Sequence, residues 1–220
     1  MANELLFRRS LGHDRGWRAL YQSCFPAEER VPMKTLLSDL RLPRLYGKLS
    51  TRLLHESVSH ADRRVDCFSL VFTKLTDMWW LSYIATREGK RGNKIGESHL
   101  QNLIKRLQML DPSRKGLLLE IESPTAPDLD VETEEIRRRR MKFYVNLGAK
   151  STPVGIEYLM PNFVDGQPPI AAKLLWFELG APITNGLLKR TIVEVYERIY
   201  RLDRENQLIA RIAGQFKKRY

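Results

Sequence analysis

The chain is expected to fold as one α/β or α+β domain, because strand-like apolar runs alternate along it with segments of helical periodicity. Three observations carry this expectation. Residues 78–86, Met-Trp-Trp-Leu-Ser-Tyr-Ile-Ala-Thr, form an aromatic-rich run suited to a strand. Leu100, Leu103, Ile104 and Leu107 then recur at i, i+3, i+4 and i+7, one face of a helix. Residues 117–121 are an apolar run after Lys115-Gly116, interrupted by Glu120, the pattern of a strand buried on both faces. At 220 residues and 43% hydrophobic content the chain is long enough to bury roughly 70% of its unfolded surface in a single core.

The remaining elements follow in order. Residues 5–8 read as a short first strand, and Trp17, Leu20, Tyr21 and Cys24 mark a first helix. Pro26 and Pro32 bound a turn that bars this helix from continuing, and residues 33–42 form a second helical piece. Residues 67–73, rich in Phe and Val, are a strand that precedes 78–86. A helix containing Phe143 and Tyr144 ends at Gly148, a residue able to take the left-handed conformation of a C-cap. Residues 156–160 and 172–177 suggest a hairpin-like pair joined by a long Pro/Gly loop. Leu188, Ile192, Val195, Ile199 and Leu202 predict one C-terminal helix over about 187–218.

The stretch from Tyr83 to Gly96 runs from strand, through the basic glycine-punctuated loop Lys90-Arg91-Gly92-Asn93-Lys94, into a helix. A helix start leaves about four N–H groups without intrahelical partners and carries roughly half a positive charge, so such a loop suits a phosphate. It lacks the Gly-x-x-x-x-Gly-Lys-Ser/Thr run of a P-loop and the Gly-x-Gly-x-x-Gly of a dinucleotide fold. It resembles instead the pyrophosphate loop of the GCN5-related N-acetyltransferases (GNAT), Gln/Arg-x-x-Gly-x-Gly/Ala. Arg91, Ile95 and Gly96 fit, and Lys94 stands where that family usually has its middle glycine. Phe143-Tyr144-Val145-Asn146-Leu147-Gly148-Ala149 is similar to the family's Phe/Leu-Tyr-x-x-x-Gly-Phe/Ala element, while Arg137 occupies the place of a frequent asparagine. Phe25-Pro26-Ala27-Glu28-Glu29-Arg30 resembles a turn that in one branch of the family lies over the acceptor side, where Glu28 or Glu29 could meet an ammonium or simply be solvated.

The resemblance implies a central mixed, mostly antiparallel twisted sheet flanked by helices. It implies a catalytic domain over residues 1–180 and, over 181–220, an extra C-terminal helical extension packed on it, whose basic tail offers a dimer contact. It also implies acetyl-CoA as cosubstrate. The diphosphate would sit on the amides of Arg91, Gly92, Asn93, Lys94, Ile95 and Gly96, and the pantetheine arm along Ile84, Ala85 and Thr86. Tyr144, a phenol protonated at neutral pH, would then protonate the departing thiolate. Glu120 or Glu122, closing the 117–121 strand at the end where α/β sheets place ligands, would take the acceptor's proton.

Charge leaves alternatives open. Lys plus Arg number 37 against 26 Asp plus Glu, a net charge of +11 that attracts polyanions. Arg137 to Arg140 would be the place for nucleic acid, but four consecutive helical residues point all round the helix, and Glu132, Glu134 and Glu135 lie within pairing distance upstream. Seven acidic residues between Glu120 and Glu135, with no basic one among them, could draw a cationic amine acceptor or be a solvated loop. A nucleic-acid-binding protein and a non-catalytic acyl-CoA-binding module are the competing readings. His13, His55, His60 and His99 lack metal-ligand spacing, so no metal is expected. Cys24 and Cys67 read as small buried thiols. With no membrane-length apolar run and no secretory pattern at the start, a cytoplasmic protein is expected.

Overall fold

The structure is a computed structural model that describes residues 6–8, 16–40, 53–59, 65–151, 156–164, 166–180 and 182–216. His13, His60, the end of the second helical piece at 41–42, the boundary residue Ala181 and the basic tail after Phe216 lie outside the described residues. The chain divides into two compact units, Met1–Thr73 with Leu81–Met109 and Lys74–Trp80 with Leu110–Tyr220. Residues 182–216, expected as an extension, cluster with the second unit.

In the first unit, β1 (Leu6–Arg8), β2 (Leu53–Ser59), β3 (Val65–Phe72) and β4 (Met78–Thr86), whose residues up to Trp80 fall in the second unit, succeed one another in the sheet. β1 pairs with β2 and β2 with β3, both antiparallel, with an irregularity between Val58 and Ser59. β2 has no counterpart in the sequence reading, because Leu-Leu-His-Glu-Ser-Val-Ser alternates poorly between apolar and polar residues. Every residue of β3 is buried. α1 (Gly16–Cys24) packs on β3 and α2 (Met33–Leu40) on β2. The expected face of α1 is realised: Trp17, Leu20 and Tyr21 are buried, with Trp17 5.8 Å from the Phe68 ring. Tyr21 and Phe25 meet Tyr83 edge-on at 4.8 and 4.9 Å. The Tyr83 hydroxyl accepts from the Val31 amide (3.1 Å) and donates to the Glu29 carbonyl (2.9 Å), which fixes the proline-bounded turn to β4. Burial pushes the Cys67 thiol up to about 12, while Cys24 is half-buried rather than buried.

In the second unit, β5 (Gly116–Glu122) and β8 (Ile170–Glu178) run antiparallel, from Gly116 opposite Glu178 to Glu122 opposite Ala172. The far side of β8 carries β6 (Lys150–Ser151) and β7 (Tyr158–Met160), both antiparallel, with Tyr158 opposite Ala172. The hairpin-like pair is therefore present. The Gly116 position is tight because Met78 and the Phe177 carbonyl crowd it. Arg114 ties the turn before β5 to the start of β4, donating to the Leu75 and Met78 carbonyls, pairing with Asp111 at 3.0 Å and lying 4.8 Å over the Trp79 ring.

α4 (Val131–Asn146) is capped at its start by Asp130, whose carboxylate accepts from the Thr133 amide at 2.8 Å. It ends as expected at Gly148, φ +95°, with Gly148 N–H bonded to the Val145 carbonyl and Ala149 N–H to the Tyr144 carbonyl, a Schellman close. The C-terminal region departs from expectation. In place of one helix there are α5 (Asn185–Glu194), a π-helical turn over Val195–Ile199, a break, and α6 (Gln207–Gln215). Arg201 takes a left-handed conformation (φ +59°), and Asn206 caps α6 by accepting from the Leu208 amide. The apolar spacing misses the break because both halves are amphipathic, and the turn residues Asp203 and Asn206 lie between them. No helix among the described residues is long and apolar enough to cross a membrane.

An added Cβ at Gly116 would stand 2.7 Å from the Phe177 carbonyl oxygen and 2.9 Å from Met78 Cε. Gly116→Ala is therefore expected to cost about 1–3 kcal/mol, read as a lower urea midpoint with an unchanged slope.

Candidate active site

The chemistry-bearing residues fall in both units, and each group is built by its own local structure. In the first unit, β4 ends at Thr86, a short 3-10 turn covers Glu88–Lys90, and α3 (Ile95–Leu110) opens directly after the loop. Ile84, Ala85 and Thr86 are half-buried at the end of β4, and Arg91, Gly92, Asn93 and Lys94 are exposed. Ile95 and Gly96 form the first turn of α3, whose buried face is His99, Leu100, Leu103 and Leu107.

Two residues bend the loop into the helix: Gly92 at φ +81° and Lys94 at φ +57°. The left-handed region is easy for glycine and strained for lysine. Lys94 thus holds a conformation that glycine adopts freely, at a conformational cost of order 1 kcal/mol. The Ser98 amide is the first in the helix to bond back, to the Lys94 carbonyl at 2.9 Å. Among the described residues, no backbone bond of turn or loop starts from an amide between Gly92 and Glu97. These N–H groups stand at a helix start among Lys90, Arg91 and Lys94, a chemistry that suits an anion. Arg91 braces the loop by donating from Nε to the Thr86 carbonyl at 3.3 Å. His99 does not join it: the ring is buried, with Nε2 3.0 Å from the Ser69 hydroxyl.

In the second unit, Glu120 and Glu122 share a strand but not an environment. Both oxygens of Glu122 are occupied, one by Arg137 at 2.5 Å and one by Arg140 at 2.8 Å, and Arg137 also donates to the Ser123 carbonyl at 3.1 Å. Glu120 has no cationic partner among the described residues. Its Oε2 accepts from the Tyr158 hydroxyl at 2.6 Å and its Oε1 from the Tyr200 hydroxyl. Desolvation outweighs these two bonds and pushes its carboxyl from 4.5 up to about 7. Burial, followed by the nearby Glu120 charge, pushes Tyr158 and Tyr196 upward, so both stay protonated. Tyr196 stacks on Tyr158 at 5.6 Å and donates to the Leu159 carbonyl at 2.7 Å. Phe163 lies 5.8 Å from the Tyr200 ring. Tyr144 sits in the last turn of α4, 6% exposed, with the Phe143 ring 5.1 Å away.

The four arginines of the basic run pair with three carboxylates. Arg138 pairs with Glu134, Arg139 with Glu135 at 3.8 Å, and Arg137 and Arg140 with Glu122. Most of the acidic run is engaged as well. Glu122, Glu134 and Glu135 hold arginines, Asp130 caps α4 and Glu120 binds tyrosines, while Asp128 and Glu132 are exposed. Tyr158, Tyr196 and Tyr200 were not among the sequence-derived candidates. A usable signal existed in the pair Tyr196 and Tyr200, four residues apart, together with a carboxylate inside the run Leu-Leu-Leu-Glu-Ile.

No protein-family model matches the sequence, and no curated protein matches it. Solved structures do. One described as an acetyltransferase of the GNAT family from Bacteroides thetaiotaomicron superposes with a TM-score of 0.67 at 16% identity, over 92% of this chain and 100% of that one. NAA60 of Arabidopsis thaliana, solved with acetyl-CoA, gives 0.53 at 10% identity, over 79% and 98%. A chimera of the Vibrio cholerae spermidine N-acetyltransferase SpeG with hSSAT gives 0.53 at 10% identity, over 80% and 96%. What is shared at these identities is the path of the backbone, a mostly antiparallel sheet flanked by helices: the chain has the fold of the GCN5-related N-acetyltransferases.

Proposed function

We propose that this protein is an N-acetyltransferase that moves an acetyl group from acetyl-CoA to a primary amine by direct attack, with no covalent enzyme intermediate. The observation that carries this reading is the run of amides from Gly92 to Glu97, uncommitted to loop or turn bonds, at the start of α3 directly after β4. That donor set fits a diphosphate, and Arg91, Gly92, Asn93, Lys94, Ile95 and Gly96 would hold it, with Ile84, Ala85 and Thr86 along the pantetheine arm. The cosubstrate supplies an acetyl group activated as a thioester. NAA60, which shares the fold, was solved with acetyl-CoA and with a bisubstrate analogue.

The backbone N–H of Ile84 or Ala85 would polarise the thioester carbonyl. Tyr144 would give its phenolic proton to the departing sulfur and take one back from solvent. An alkylamine of pKa about 10.4 is only on the order of a thousandth deprotonated at pH 7, so a base must take a proton from the acceptor nitrogen. Glu120 suits that role better than Glu122. Its carboxyl titrates near neutrality, whereas both oxygens of Glu122 are engaged by arginines. The ion pairing of all four arginines from Arg137 to Arg140 counts against the nucleic-acid reading.

Acetyl-CoA at about one hundred times its dissociation constant should raise stability by roughly 2.7 kcal/mol; a melting curve left unmoved would remove catalysis and acyl-CoA binding together. Tyr144→Phe should keep that shift and slow thiol release with a responsive amine, and an unchanged rate would take the acid role from Tyr144. Glu120 carries a pH signature of its own. Its pKa is higher folded than unfolded, so the folded state binds the extra proton between about pH 4.5 and 7, and its contribution to stability falls as pH rises through that window. The Tm of the native protein minus that of Glu120→Gln should therefore become more negative from pH 4.5 to 7 and then level off; parallel curves would place the carboxylate in an ordinary environment.

A further inference from the structure

Glu120 receives hydroxyl donors from two directions, and the two donors differ in kind. Tyr158 is fixed. It is 2% exposed, its ring lies flat against Tyr196 at an interplanar angle of 16°, and Tyr196 is itself anchored to the Leu159 carbonyl. Tyr158 stands opposite Ala172 on β8, which pairs in turn with Glu122, and its hydroxyl reaches Glu120 diagonally across that strand. Tyr200 is half-buried and comes from the C-terminal region, 80 residues from Glu120 in sequence. The backbone is reshaped where it delivers this side chain. Val195–Ile199 is a π-helical turn, the Tyr200 amide bonds to the Val195 carbonyl, the Leu202 amide to the Tyr196 carbonyl, and Arg201 follows in the left-handed region. Single π-helical turns inside helices concentrate at functional sites, because the wider turn re-aims one or two side chains.

We propose that Tyr200 carries the proton between the acceptor amine and Glu120, so that the C-terminal segment is part of the acceptor site rather than an appendage. In this step the acceptor's N–H bond breaks and its proton joins the Tyr200 oxygen as the original Tyr200 O–H proton passes to Glu120 Oε1. Tyr200 ends unchanged, the nitrogen gains a free lone pair, and Glu120 becomes a carboxylic acid that later releases its proton to solvent. Tyr158 is a positioning residue that holds Oε2 and leaves Oε1 to the relay. The proposal rests on the reading of Glu120 as the base.

The test uses the full chain with acetyl-CoA and a panel of spermidine, lysine amide and a peptide with a free α-amine, taking the amine that releases thiol fastest. Tyr200→Phe removes one hydroxyl and is expected to lower kcat on the order of a hundredfold while leaving the thermal shift with acetyl-CoA in place. A proton inventory in mixed H2O and D2O distinguishes relay from support: the native rate should fall along a curve showing two protons in flight, and Tyr200→Phe along a straight line. Tyr158→Phe should slow the reaction less and keep the curve. A native rate in Tyr200→Phe, or a slowed rate with the curve retained, overturns the relay. Full activity in Glu120→Gln removes the base assignment and the relay together, whereas an inactive Glu120→Gln beside a fully active Tyr200→Phe removes the relay alone. No thiol release from any amine of the panel removes both.

Discussion

A carboxylate near the end of an otherwise apolar strand must be met by donors from elsewhere in the chain, and the second unit is arranged around meeting Glu120. Leaving such a group buried without donors costs several kcal/mol, more than most single packing contacts return. Its two donors arrive from β7 and from the π-helical turn after α5. The second comes from a helix that widens and breaks before Leu202. Because both donors are phenols rather than cations, desolvation prevails and the group stays protonatable near neutrality.

Glu122, two residues on, shows the contrary solution. Arg137 and Arg140 satisfy both of its oxygens with charge, which fixes α4 against β5. One strand thus presents one acid held by arginines and one held by phenols, and the proposed base is the second. The same pairing explains how a chain with a net charge of +11 keeps its densest basic run from forming a polyanion stripe.

The first unit solves a different problem, keeping main-chain donors available without leaving them buried. Tyr83 spends its hydroxyl on the proline-bounded turn, Arg91 spends one N–H on the Thr86 carbonyl, and the left-handed Gly92 and Lys94 turn the chain so that α3 begins with open amides. That Lys94 accepts a conformation suited to glycine is the sign of a constrained loop. The strain is retained where the proposed cosubstrate contact lies.

Local pattern determined much of this protein. The bounds of β4, the buried face of α3, the capped end of α4 at Gly148 and the donor-rich loop all follow from residues within a turn or two of one another, so periodicity and turn chemistry reveal them. The choice between Glu120 and Glu122 does not, since both read alike in Leu-Leu-Leu-Glu-Ile-Glu. Nor do the missed β2, whose strand character depends on its neighbours β1 and β3, or the break in the C-terminal helix. β2 was decided by strand pairing, and the setting of Glu120 by contacts between residues 38 and 80 positions apart, which leave no repeat in the sequence.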